Sequence, residues 1–138
     1  MANDALTYQE ILRTLGTLLD HSGSDSATLV LSAQGAVVQA PIWTWARVWS
    51  RDALEVESAS QRSWRDRPRP PHLARAGRFN RMLRVVGAAL DAENGGPYTL
   101  EVDEEQVRVR TADGAERVFE AKPLERRLKL AAHLRGQL

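Results

Sequence analysis

The feature that most constrains this chain is an internal repeat with a spacing of 71 residues. The segment YQEILRTLGTLLD at 8–20 aligns without a gap on FNRMLRVVGAALD at 79–91, and the same spacing holds as far as Ala40 and Thr111. After a shift of one residue, ARVWSRDALE aligns on ERVFEAKPLE. Eight identities in the first part and four in the second indicate an ancient duplication, so both copies are expected to share one fold.

Each copy begins with a helical pattern. Thr7 and Glu10 have the spacing of a capping box, so a helix is predicted over 7–21. Apolar residues then recur at intervals of three and four, which places them on one helix face. The first copy has this stripe at Tyr8, Ile11, Leu12, Leu15, Leu18 and Leu19, and the second has it at Phe79, Met82, Leu83, Val86 and Leu90.

The pattern then changes to a period of two. In the second copy, apolar and charged residues alternate over 100–103 and 107–110, which predicts strands with one apolar and one solvated face. A tight turn at 104–105 would place Glu101 opposite Arg108, a favourable cross-strand pair.

A second hairpin turn is predicted at Asp113-Gly114, followed by a third strand over 115–120. Pro123 suits the first turn of a closing helix that ends near Gly136. The first copy should repeat this order. Its predicted elements are the helix 7–21, strands near 27–32, 36–40 and 42–49, and a helix near 51–64.

The predicted fold class is therefore α+β, with two α-β-β-β-α units whose antiparallel meanders are covered by helices about a pseudo-two-fold axis. The predicted division is 1–65 for the first copy, 66–78 for an Arg/Pro-rich connector and 79–138 for the second copy. A chain of 138 residues can bury a core without metal or disulfide support. We expect the two copies to form one compact domain.

Two matched glycines, Gly16 and Gly87, fall in the middle of the predicted first helix of each copy. A glycine there costs about 1 kcal/mol relative to alanine. Because both copies retain this cost, we expect the two helices to cross closely at these positions. The alternative is a tolerated weakness in each helix.

The sequence lacks a catalytic or metal-binding pattern. With no cysteine, the chain cannot form disulfides or thiolate zinc sites. The histidines, His21, His72 and His133, do not have metal-ligand spacing. The run Asp20-His21-Ser22 cannot form a catalytic relay, because neighbouring side chains point apart. No catalytic residue, metal or cofactor is predicted.

The tryptophans are the first candidate binding residues. The segment 41–49, PIWTWARVW, is predicted to form a strand with Trp43, Trp45 and Trp49 on one side. Trp49 aligns with Phe119 and is expected in the core, whereas Trp43 and Trp45 have no aromatic counterpart. Because large aromatic side chains dominate interface hot spots, these two are candidate partner-binding residues. The alternative is that they fill a gap between the copies.

A basic run is the second candidate. Residues 62–84 carry eight arginines and one acid, between segments of net charge −4 and −2. Clustered arginine beside an aromatic residue is typical of phosphate binding, but a solvated or internally paired linker has the same composition. The candidates for a nucleic acid or an acidic partner are Arg62, Trp64, Arg65, Arg67, Arg69, Arg75 and Arg78.

The functional prediction is a non-catalytic binding or adaptor protein that acts through the tryptophan strand and the Arg-rich connector. The alternatives are a nucleic-acid-binding protein that uses 62–84 and, less favoured, a small enzyme with a site between the copies. Residues 1–10 have no signal-peptide pattern and no segment has the roughly 20 apolar residues of a membrane span. We therefore expect a cytoplasmic protein with a protein partner, either a monomeric pseudo-dimer or a homodimer.

Overall fold

The structure, a computed structural model, describes residues 6–65, 77–93 and 96–120. Within these ranges, three helices and six strands follow one another in two successive sets. The first set is α1 (Tyr8–Ser22), β1 (Ser26–Ser32), β2 (Gly35–Gln39), β3 (Arg47–Ser50) and α2 (Arg51–Arg65). The second set is α3 (Arg78–Glu93), β4 (Tyr98–Asp103), β5 (Gln106–Thr111) and β6 (Glu116–Glu120).

Helix α1 begins and ends at the residues that the sequence marks for it. The Thr7 hydroxyl accepts a hydrogen bond of 3.1 Å from the backbone N–H of Glu10, which is the expected N-cap. The helix ends at Ser22 and is capped by Gly23, whose φ of 76° lies in the left-handed region that glycine adopts without strain. The prediction of a helix over 7–21 is confirmed.

All six strands form one antiparallel sheet in the order β3-β2-β1-β4-β5-β6. The two sets meet at its centre, where Leu29 of β1 pairs with Leu100 of β4, its equivalent in the repeat. The neighbouring pairs, Thr28 with Glu101 and Val30 with Thr99, are symmetric about this point. The α+β fold class is confirmed, while the common ancestry of the two halves stays a prediction.

One face of the sheet carries the core. Alternate strand residues such as Leu29, Val38 and Val109 are buried and join the apolar faces of α1 and α3 in a single cluster. We call this the inner face. The opposite, outer face carries the intervening residues, and within the described part of the chain no helix packs on it.

The matched glycines lie where the two helices touch. A β-carbon on Gly16 would lie 2.7 Å from the Phe79 carbonyl oxygen, and one on Gly87 would lie 2.6 Å from the Gln9 α-carbon. Both distances are too short for a real contact, so the backbones meet only because each position lacks a side chain. The expected close crossing is confirmed.

The predicted third strand of the first copy is wrong over its first half. Strand β3 begins at Arg47, and Trp43 and Trp45 lie in the loop between β2 and β3. Pro41 has no N–H to donate to a neighbouring strand, and the Trp43 N–H donates to the Ala40 carbonyl at 3.0 Å. The chain therefore turns before it can extend.

Both predicted turns of the second copy are confirmed. Glu101 lies opposite Arg108 across the β4–β5 hairpin, and Gly114 turns the chain between β5 and β6 with a φ of 93°. The predicted closing helix from Pro123 and residues 66–76 of the predicted connector lie outside the described residues.

Candidate functional site

Three valines form a continuous row on the outer face of the first half. Val30 pairs with Val37 across β1 and β2, and Val37 pairs with Val48 across β2 and β3. Their side chains are 40%, 37% and 77% exposed in that order. The row runs from the centre of the sheet to its edge, and exposure is greatest at the edge.

The loop before β3 adds two more exposed apolar side chains. Trp45 is 79% exposed, and Ile42, three residues before it, is also exposed. We call Val30, Val37, Ile42, Trp45 and Val48 the first-half apolar surface. Exposed apolar side chains grouped in one part of a fold are typical of interaction sites.

Two of the three equivalent positions of the second half carry charge, and the third, Val118, keeps a valine. The repeat places Glu101 where the first half has Val30, and Arg108 where it has Val37. The strand register is the same in both halves, because Leu29 pairs with Val38 as Leu100 pairs with Val109. Since fold and register are shared, the difference is one of side-chain chemistry alone.

These charged residues neutralise one another across the strands. Arg108 lies 3.8 Å from Glu101 and 3.8 Å from Glu116, and Arg110 lies 3.2 Å from Glu116. Each pair is half exposed and contributes little stability on its own. Together they give the second half a solvated outer face on which Arg108 and Arg110 already have acidic partners.

A shallow polar groove of about 530 Å³ crosses the centre of the outer face. Its walls include Thr28, Gln39, Pro41 and Glu101. The Asp103 carboxylate at its far end accepts the backbone N–H groups that follow it, at 2.7 and 2.9 Å. That carboxylate stabilises the hairpin turn.

The two candidate tryptophans have different environments. Trp43 packs partly against the core, and the Arg47 guanidinium lies 4.2 Å from the centre of its ring. Trp45 points to solvent. Only Trp45 is placed where it could bind a partner without rearrangement.

Two arginines of the basic run pair with acids of the same chain. Arg62 lies 3.7 Å from Glu10 and 3.3 Å from the Ser58 hydroxyl, and Arg78 lies 3.1 Å from Glu104. The side chains of the other candidates lie outside the described part of the structure; these are Trp64, Arg65, Arg67, Arg69 and Arg75.

A reciprocal pair of caps was not predicted. The Asp20 carboxylate at the end of α1 accepts the N–H groups of Phe79 and Asn80 at the start of α3, both at 2.9 Å. Asp91 at the end of α3 accepts the N–H of Tyr8 at 2.7 Å and that of the next residue at 3.1 Å. Each helix therefore caps the other.

The identity of Asp20 and Asp91 in the repeat was the available signal for these caps. Burial raises the pKa of Asp20 above its usual value, against the lowering effect of the N–H groups of Asn80 and Phe79. Because both its oxygens bind backbone N–H groups, this carboxylate holds the helices together and is not available to His21 and Ser22.

Within residues 6–65, 77–93 and 96–120, no three acidic or histidine side chains lie close enough to hold a metal ion. Across the same ranges, no helix has the length and apolar character needed to cross a bilayer. Comparison of the chain with protein-family models, with curated proteins and with solved structures gives no match.

Proposed function

We propose that this chain is a non-catalytic binding protein, and that the first-half apolar surface receives an extended segment of a protein partner. The observation that supports this is the difference between equivalent positions on the outer face. Valines stand in the first half where Glu101 and Arg108 stand in the second. A purely structural role would not require exposed valines, because the charged set supports the same strands.

Strand β3 offers the partner a backbone edge. The Arg51 N–H donates to the Gln34 carbonyl at 2.9 Å, and hydrogen-bonded positions alternate along an antiparallel pair. The N–H and C=O of Val48 therefore point away from β2, toward the open edge of the sheet. An extended peptide can pair with such an edge and place alternate side chains against the outer face.

Exposed apolar side chains supply the free energy. A tryptophan side chain can bury about 150–250 Å², and each Å² contributes about 25 cal/mol. Because Trp45 is 79% exposed, covering it stabilises a complex by roughly 3–5 kcal/mol before the cost of association. Val48, which is 77% exposed, adds a smaller amount. These two residues are the expected hot spots.

The experiment is a selection of phage-displayed random peptides on sparsely immobilised protein. We expect enriched peptides with apolar residues at alternate positions, because alternate side chains of an added strand face the same way. Enrichment should be lost on Val48→Glu and reduced on Trp45→Ala.

Val118→Glu is the matched control. Val118 occupies the position of Val48 in the second half and lies opposite Arg108, which accommodates the new carboxylate. This variant should select the same peptides as the wild type. The proposal is contradicted if no peptide is enriched, or if Val48→Glu selects the same peptides as the wild type.

Nucleic-acid binding through 62–84 stays a prediction, and the pairing of Arg62 and Arg78 within the chain does not favour it. Its test is titration with labelled DNA and RNA at two salt concentrations, beside a variant with Arg65, Arg67, Arg69 and Arg75 changed to alanine. Phosphate binding would weaken steeply with salt and with these substitutions.

A further inference from the structure

We infer that the partner of this surface, in the absence of another protein, is a second copy of the same chain, paired antiparallel through β3. This inference deepens the proposed function and rests on it for the location of the site. Self-pairing at one strand gives an isologous two-fold interface. In such an interface each residue of β3 lies opposite a residue of the same strand in the second copy. Only registers in which these opposite residues are compatible are therefore possible.

Four registers keep residues of one face opposite each other in a two-fold pair with its axis within Arg47–Ser50. An axis at Ser50 would require the first turn of α2 to pair as a strand, which a helix cannot do. An axis at Arg47 would place Arg47 opposite its own copy. An axis at Trp49 would place Arg47 opposite Arg51 of the second copy. Like charges directly opposite are unfavourable in a sheet, so both registers are disfavoured.

The remaining register has its axis at Val48. Arg47 then lies opposite Trp49 of the second copy on the inner face, so no like charges meet there. On the outer face Val48 meets its own copy. Because the N–H and C=O of Val48 point to the open edge, the two valines also exchange both backbone hydrogen bonds.

Continuity of the valine row supports the same register. Val30, Val37 and Val48 already form a row that ends at the sheet edge with its most exposed member. When a second copy pairs with its axis at Val48, the row continues into that copy through its own Val48, Val37 and Val30. Val48, the most exposed valine of the row, then lies at the centre of the interface and is covered.

The opposite edge of the sheet, strand β6, does not favour pairing with a second copy. On the outer face of β6, Glu116 and Glu120 flank Val118, so two copies paired there would bring four carboxylates together. Charged residues on an edge strand are a common defence against edge-to-edge pairing. Pairing through β3 is therefore the self-association that the charge pattern permits.

The test is sedimentation equilibrium of the full chain over a concentration series. We expect the wild type to approach twice the chain mass of 15.4 kDa as concentration rises. Val48→Glu and Val48→Lys should each remain monomeric, because like charges meet on the axis. An equimolar mixture of the two should recover the dimer, which a misfolded variant could not do.

Val118→Glu is the control and should dimerise like the wild type. The inference is overturned if the wild type stays monomeric, if Val48→Glu still dimerises, or if the mixture of Glu and Lys variants does not associate. Peptide selection together with a monomeric wild type would contradict the dimer and leave the proposed function standing. A dimer without peptide selection would contradict the proposed function alone.

A selected peptide should also dissociate the dimer, because both occupy the β3 edge. In this account self-association covers the binding surface until a partner displaces the second copy. A peptide that binds without changing the sedimentation of the wild-type dimer would contradict that competition.

Discussion

Equivalent strands of the two halves support different surfaces. Val30 and Val37 lie on one side of the central β1–β4 pair, and Glu101 and Arg108 lie at the matching positions on the other side. The inner face does not show this difference, since Leu29 and Leu100 are both fully buried. The requirements of the core keep the halves alike, whereas the outer face is free to differ, and that freedom locates the proposed binding site in the first half.

The largest expected loss of stability concerns a feature that both halves share, the close crossing of α1 and α3 at a glycine of each helix. Gly16→Val and Gly87→Val should each lower the free energy of unfolding by about 3 kcal/mol, because the added atoms meet backbone of the opposing helix that cannot move aside. Urea denaturation measures this. Ala88→Val, which places the same valine side chain at an exposed position of α3, is the control. Glycine variants no less stable than that control would contradict the close crossing.

The reciprocal caps should be unequal. Asp20→Ala should cost about 2 kcal/mol and Asp91→Ala about 1 kcal/mol, within the range of lost N-caps. Both N–H groups that Asp20 binds are partly buried, whereas one of those bound by Asp91 is exposed and can bind water instead. Urea denaturation of the two variants checks this order, and a larger effect of Asp91→Ala would contradict it.

The free energy of unfolding should depend on pH differently in the wild type and in a variant without the Asp20 carboxylate. Burial raises the pKa of Asp20, so the folded chain holds this proton to a higher pH than the unfolded chain. The contribution of this group to stability is therefore complete below its unfolded pKa of 3.8 and is lost as pH rises through the folded pKa. The stability of the wild type relative to Asp20→Asn should increase as pH falls from neutral toward 4. A constant difference would show that the pKa is not raised.

The smallest effect is expected at the end of the basic run. Arg78→Ala removes an ion pair with Glu104 in which both side chains are about half exposed. Such pairs contribute about 0–1 kcal/mol, and the contribution decreases with salt. Denaturation at low and high salt should show a small loss that vanishes at high salt. A loss above 1 kcal/mol would assign this arginine a structural role.

The sequence predicts the helices, the hairpins and the glycine crossing because these follow from local patterns repeated twice. The alignment of the two copies already placed Val30 opposite Glu101 as equivalent positions. That these positions lie on the exposed face of the sheet became known only from the structure, because the sequence does not say which face the helices cover. The pairing of β1 with β4 and the caps by Asp20 and Asp91 join residues 59 or more positions apart, which no local pattern specifies. For the tryptophan segment, Pro41 was a readable signal against a strand.

The most direct measurement is the affinity of a selected peptide for the variant Val30→Glu/Val37→Arg. This double substitution copies the Glu101 and Arg108 pair into the first half at an equivalent register, so the fold should be kept. The reverse variant, Glu101→Val/Arg108→Val, is the matched control. Fluorescence anisotropy should show that the peptide binds Val30→Glu/Val37→Arg at least about tenfold more weakly than the wild type. The control variant keeps the first-half apolar surface and should bind the peptide there with wild-type affinity. Equal affinity for the wild type and for Val30→Glu/Val37→Arg would contradict a binding site on the first-half apolar surface.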